Sequence, residues 1–291
     1  MRQVLWAALF LPLSVTLLIG QAEWPKPNWE KAEILRCRDL QTVTNYPVQR
    51  YEVKLVPGAN PQSGEISCRS YLVKPSQHEL PLLRDWNVSV YRGTGDDLFG
   101  DGNPTLILEG FSGGAHCCYT YQIVDLGEKP RVLPTIRNQS PFYVFKDPVS
   151  KRFRIMTSDG AFDSFDGLCH ACAPFPRVVL QADAAGLHDV SSQFIDQYDS
   201  QIALARAKIA DGDIGKFMIS DFADAKAVVL DIVFSYLYSG REAQAWQTLD
   251  EMWPAADRQR IKKLILKTRA NGILSKLGQA APRTLGVSSA R

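Results

Sequence analysis

The sequence predicts an α+β protein. An N-terminal all-β region, built of antiparallel sheets arranged as propeller-like blades or a sandwich, is followed by a C-terminal helical hairpin region. Three observations carry this. Between residues 50 and 180 short runs alternate apolar and polar side chains, the period-two mark of half-buried strands, and turn residues separate them at even spacing. Near Ala184 the period changes to steps of three and four, the spacing of one helix face. With 291 residues, 45% of them hydrophobic, the chain can bury a sizeable core in one large domain or two modest ones.

In chain order, residues 1–22 read as a signal peptide. Arg2 gives a short positive start, Val4 to Gly20 is apolar around Pro12, and Gly20 and Ala22 are the small residues a signal peptidase reads. The chain is therefore expected to be secreted or periplasmic, mature from about Glu23, with no membrane span after cleavage. Residues 23–36, with Trp24, Pro25, Pro27 and Trp29, read as an extended arm with one helical turn around Lys31 to Leu35.

Residues 37–183 form the β region. Tyr51, Val53 and Leu55 alternate with charged residues, and Ile66 to Val73 and Val88 to Arg92 follow as strands. Thr105 to Glu109 (TLILE) is a continuous apolar run, as expected of a strand buried on both faces. Tyr119–Leu126, Val132–Ile136, Phe142–Phe145, Phe153–Thr157 and Arg177–Leu180 complete about nine strands.

Residues 184–277 form the helical region. Ser191 or Ser192 is placed to cap a helix whose face is Ile195, Tyr198, Ile202, Ala205 and Ile209, ending at Asp211-Gly212. Asp221 caps a second that runs to Gly240. A third covers Glu242 to Trp253, stopped by Pro254, and a fourth Arg258 to Ala270. Residues 278–291 are small and polar and are expected to be a disordered tail.

The net charge of +2 implies no basic face and argues against a nucleic-acid partner. In an exported chain the six cysteines are expected in disulfides. Cys37 and Cys68 stand apart and can pair. Neighbours such as Cys117 and Cys118 bridge only with strain, so each is expected to reach Cys169 or Cys172. That tether would draw the Asp159, Asp163 and Asp166 loop towards Asp97 and Asp101 into an acidic pocket for a cation.

The stretch from Gly93 to Cys118 is the densest in special chemistry, and three readings attach to it. First, Asp97-Leu98-Phe99-Gly100-Asp101-Gly102-Asn103-Pro104-Thr105, followed by an apolar strand, resembles the acidic loop of FG-GAP and VCBS-type β repeats. That resemblance implies propeller blades and calcium held by Asp97, Asp101 and the Asn103 carbonyl, and the tethered acidic loop adds Asp159 and Asp163 as further calcium candidates. Phe99 and Thr105 stand where that motif has oxygen ligands. The loop with Ser112-Gly113-Gly114-Ala115-His116-Cys117-Cys118 and an aromatic strand also resembles a family of uncharacterised exported bacterial proteins, over residues 90–180. Second, His116 and His170, beside Cys117, Cys118, Cys169 and Cys172, are candidate zinc or copper ligands, and Cys169-His170-Ala171-Cys172 has the spacing of a redox dithiol. Third, Gly110-Phe111-Ser112-Gly113-Gly114 fits G-x-S-x-G, with His170 or His188 and Asp159, Asp163 or Asp166 following in α/β-hydrolase order.

Tyr236, Leu237, Tyr238, Gly240, Ala245 and Leu249 resemble a single tetratricopeptide-type hairpin, which implies a surface for a protein partner. The expectation for function is a non-enzymatic binding or scaffolding protein of the bacterial cell envelope. The alternatives are a metal-binding or thiol-redox protein and, third, a serine hydrolase using Ser112.

Overall fold

The computed structural model describes residues 22–26, 33–59, 66–74, 78–114, 118–210, 222–277 and 283–284. The signal-peptide reading, His116 and Cys117 lie outside them, as do Trp29, Asp211-Gly212 and Asp221. In chain order the strands are β1 (Glu33–Arg36), β2 (Thr44–Val48), β3 (Tyr51–Ala59), β4 (Ile66–Val73), β5 (Glu79–Asp85), β6 (Asn87–Tyr91), β7 (Thr105–Phe111), β8 (Tyr119–Asp125), β9 (Arg131–Val132), β10 (Ile136–Asn138), β11 (Tyr143–Lys146), β12 (Phe153–Ser158), β13 (Arg177–Asp183), β14 (Gly186–Asp189) and β15 (Arg283–Thr284). The helices are α1 (Ile195–Ala210), α2 (Phe222–Tyr238), α3 (Glu242–Met252), α4 (Arg258–Arg269) and α5 (Ile273–Leu277). The chain is thus α+β, with antiparallel sheets first and helices after.

The strands form three sheets. The central one runs β1-β6-β7-β8-β9-β15, with β10 also on β8, and it is flanked by two meanders, β2-β3-β4-β5 and β11-β12-β13-β14. β7 explains the layering. Leu106 and Leu108 join Val88, Val90 and Val124 against Val53, Leu55 and Leu72 of the first meander. Ile107, one step on, faces the other way with Tyr121 and Ile123, towards Ile155 and Val179 of the second meander. A strand covered on both faces needs apolar residues at every step, which is why TLILE reads as a run.

The helices complete the larger core. Val229, Val233 and Leu237 of α2 belong to the same buried cluster as Ile107 and Val179, so this core is continuous across residue 184. α2 packs against both α1 and α3. Trp24 of the arm is held on α1: its indole N–H donates to Gln201 Oε1 at 3.1 Å and its ring meets Tyr198 edge-on at 4.8 Å.

Several expectations are corrected. Of the helical turn expected around Lys31 to Leu35, the described residues Glu33 to Leu35 are instead strand, in β1, paired with β6. Val132 to Ile136 is not one strand, because Pro134 lacks the N–H the ladder needs and separates β9 from β10. β2 and β5 carry Pro47 and Pro81, which hid them, and both are sheet edges, where proline is tolerated. The Ser191 hydroxyl does not serve as a helix cap. It donates to Asp189 Oδ1 at 2.6 Å and accepts from the Val179 N–H at 2.9 Å, fixing the entry to α1. Within the stretch read as a tail, Arg283 and Thr284 pair with Val132 and Arg131.

Candidate functional site

The Gly113 region does what its glycines allow. The Ser112 N–H donates to the Cys118 carbonyl at 3.3 Å, and Gly113 takes φ +85°, where a β-carbon would lie 3.3 Å from the Trp86 indole, so a side chain there would be strained and crowded. Ser112 and Cys118 line one side of a cleft of about 840 Å³. β5 adds Arg84 and Asp85, β8 adds Thr120, β10 adds Arg137 and Asn138, the acidic loop adds Asp159 to Asp163, and α5 adds Lys276. The cleft is therefore walled by two sheets and the end of the helical region.

The Asp85 carboxyl sits above the ordinary carboxylate range because of burial, offset by hydrogen bonds from the Trp86 N–H and Thr120 and by the Arg137 charge. Arg137 and Lys276 are exposed, and neither forms an ion pair among the described residues. Both, with Thr135, also border a second hollow of about 350 Å³ whose other walls are apolar: Leu133, Pro134, Ile136, Leu187 and Leu277. A polar cleft thus adjoins an apolar recess, with two cations on the shared rim.

The acidic loop serves as a clamp for the helices. Its three carboxylates take three separate sets of partners. Asp159 is buried, accepting from Tyr238 Oη at 2.7 Å and from the N–H groups of Ala161 at 3.1 Å and Ile273 at 3.2 Å. Burial, and then the Asp159 charge, hold the Tyr238 phenol well above its ordinary value. Asp163 Oδ1 meets His170 Nδ1 at 2.8 Å. Asp166 accepts a two-pronged contact from Arg260, at 2.6 and 3.0 Å, and one from Lys226 at 2.5 Å. Burial raises the Asp166 carboxyl, but these two cations outweigh it and carry it below the usual range. Ser164 and Asp166 both hold left-handed backbone, φ 52° and 50°, to aim these groups.

The cysteine pairing corrects the expected tether. Cys37 and Cys68 are bridged as expected, but Cys169 and Cys172 are bridged to each other, with α-carbons 5.0 Å apart. A turn closed by the Cys172 and Ala173 N–H groups on the Cys169 carbonyl, each at 2.9 Å, brings them together locally. Cys118 is also disulfide-bonded, to a partner outside the described residues. No disulfide therefore draws the acidic loop onto the Asp97 turn, and the thiolates of the expected zinc or copper site are oxidised.

The Asp97 turn is self-contained. Asp97 accepts from the N–H groups of Gly100, Asp101 and Gly102 at 2.6, 3.1 and 2.9 Å. Asp101 accepts from the Asn103 N–H at 3.1 Å and from Arg131 Nη2 at 2.8 Å, and Arg131 also binds Asp125 at 2.7 Å. The guanidinium of Arg131 is the cation this turn holds. Phe99, out of place in a calcium loop, is buried in the larger core. Among the described residues no three His, Cys, Asp or Glu side chains stand together as a metal site.

Of the expected hydrolase residues, Asp163 lines the same cleft as Ser112 and pairs with His170. The strand β8 follows the Ser112 loop within a few residues, where the nucleophile elbow would open a helix. His188 is on the β13–β14 hairpin, paired with Asp183 at 2.8 Å. Arg84, Asp85, Arg137 and Lys276 were not singled out from sequence. The one available signal was the charged Arg137 in the TIRN stretch just after Pro134.

No protein-family model, curated protein or solved structure matches the chain. The functional reading therefore starts from the cleft.

Proposed function

We propose that the chain is an exported, non-enzymatic binding protein of the bacterial cell envelope, and that its cleft takes a small amphiphilic anion. The observation that carries this is the position of Arg137 and Lys276. They stand without ion-pair partners among the described residues on the common rim of a polar cleft and an apolar recess. An anionic head on the rim would meet two donors, and its apolar chain would leave water in the recess. Both hollows fall in the size range of small-molecule sites. The apolar leader and the paired cysteines support export. The helices offer a second surface. α4 turns Lys263, Lys267 and Leu266 to solvent, which suits an acidic protein partner.

Binding of hexyl and decyl phosphate, measured by calorimetry, tests the reading. The decyl chain, four methylenes longer, should bind more tightly by about 3 kcal/mol, roughly two-hundredfold, because each buried methylene contributes about 0.8 kcal/mol. Arg137→Gln with Lys276→Gln should weaken both by about tenfold or more, the loss of charge-assisted hydrogen bonds. Equal affinities for the two chains, or affinities untouched by the double substitution, would remove the proposal.

A further inference from the structure

The Cys169–Cys172 bridge is poorly suited to stabilising the fold. It spans a sequence separation of 3, against 31 for Cys37–Cys68, and a short loop restricts the unfolded chain least. The turn it closes is already fixed on both sides. Leu168 and Ala173 are buried, and Asp166 is bound to Lys226 and Arg260. The two bridges also differ in access. Cys37 and Cys68 are both fully buried, whereas Cys169 is exposed and Cys172 is half-buried against the larger core. Exchange requires a thiolate to approach a disulfide sulfur, so the exposure of Cys169 and the partial burial of Cys172 favour attack at Cys169.

We propose that Cys169 and Cys172 form a redox-active pair that exchanges two electrons with an external dithiol. In the forward direction one thiolate of the dithiol attacks Cys169 Sγ, the Cys169–Cys172 bond breaks, and Cys172 leaves as a thiolate. The second thiolate of the dithiol then attacks its own sulfur in the mixed disulfide, releasing Cys169 as a thiolate. The dithiol is oxidised to a disulfide, the pair is reduced to two thiols, and the two protons lost by the dithiol balance those taken up by the cysteines. The reverse sequence reduces an external disulfide. This activity does not depend on the cleft or its ligand.

The test uses the full chain, expressed with its disulfides formed, in native buffer with dithiothreitol as the dithiol. Samples are quenched with acid, alkylated and mapped by peptide mass spectrometry. Cys169 and Cys172 should become alkylated at least a hundredfold faster than Cys37 and Cys68. In Cys172→Ser, Cys169 should form a lasting mixed disulfide with glutathione. Cys169→Ala with Cys172→Ala should keep the parent's circular dichroism and unfold within a few degrees of it. Equal labelling rates for the two bridges, labelling of Cys169 only after denaturation, or collapse of the double variant would each overturn the proposal and make the bridge a structural one.

Discussion

Gly272→Ala should destabilise the protein by about 3–5 kcal/mol, the scale for breaking a buried charged network, and lower its midpoint of thermal unfolding by about 10 °C. Gly272 precedes α5 and passes directly over the Asp159 carboxylate. A β-carbon added there would lie 2.8 Å from Asp159 Cγ and 3.0 Å from Oδ1, and closer still to Oδ2. Neither side can yield cheaply. Asp159 is held by Tyr238 and by the Ala161 and Ile273 N–H groups, and Gly272 is anchored by its own N–H on the Arg269 carbonyl at 3.1 Å. Moving the carboxylate would leave a buried charge short of donors. Tyr238→Phe removes one donor without adding bulk, and should cost about 1–3 kcal/mol. Because α5 carries Lys276 to the cleft, Gly272→Ala should also weaken decyl phosphate binding. A loss of less than about 1 kcal/mol in a denaturant titration would mean that this contact does not hold the helices to the β region.

The Asp159 clamp shows what sequence reading reaches and where it stops. The acidic loop stood out because three carboxylates fall within eight residues, from Asp159 to Asp166. Carboxylates so close suggest one shared cation. Asp163 finds its partner locally in His170, but the destinations of Asp159 and Asp166 depend on Tyr238, Ile273, Lys226 and Arg260, which arrive from helices sixty or more residues away, and no local pattern encodes that. The inner strands β6, β7 and β8 of the central sheet were legible because burial on one or both faces imposes a period. The prolines of β2 and β5 masked strands whose edge position makes proline harmless. Cys169 and Cys172 had the right spacing for a local bridge, and the preference for linking them to Cys117 and Cys118 came from the difficulty of bridging neighbours. The cleft was invisible for a different reason. Arg84, Arg137 and Lys276 lie on three separate elements, and each is an ordinary exposed cation in its own segment.

Glu109 supplies the second large effect, on the dependence of stability on pH. It lies on β7 opposite Tyr121 and is almost fully buried, within the face that packs on the larger core. Tyr121 Oη donates to its carboxylate and accepts from the Phe142 N–H at 2.9 Å, and Tyr91 Oη donates to the Phe142 carbonyl at 2.7 Å. Burial pushes the Glu109 carboxyl up to about 7, against the Tyr121 hydrogen bond and the more distant Arg36 charge, which both favour ionisation. The unfolded chain releases this proton near the ordinary value of 4.5. Between those two values the folded state binds more protons than the unfolded state, so stability falls as pH rises. Below the window both states are protonated and the cost is absent; above it both are ionised and the cost is complete, at about 3 kcal/mol. Glu109→Gln keeps an acceptor for Tyr121 but cannot ionise. Relative to the parent it should gain about 3 kcal/mol on going from acid to mildly alkaline solution, with the change confined to the window between the two values. Parallel stability curves for the two proteins across that range, from urea titrations, would show that Glu109 ionises in the folded state as readily as in water.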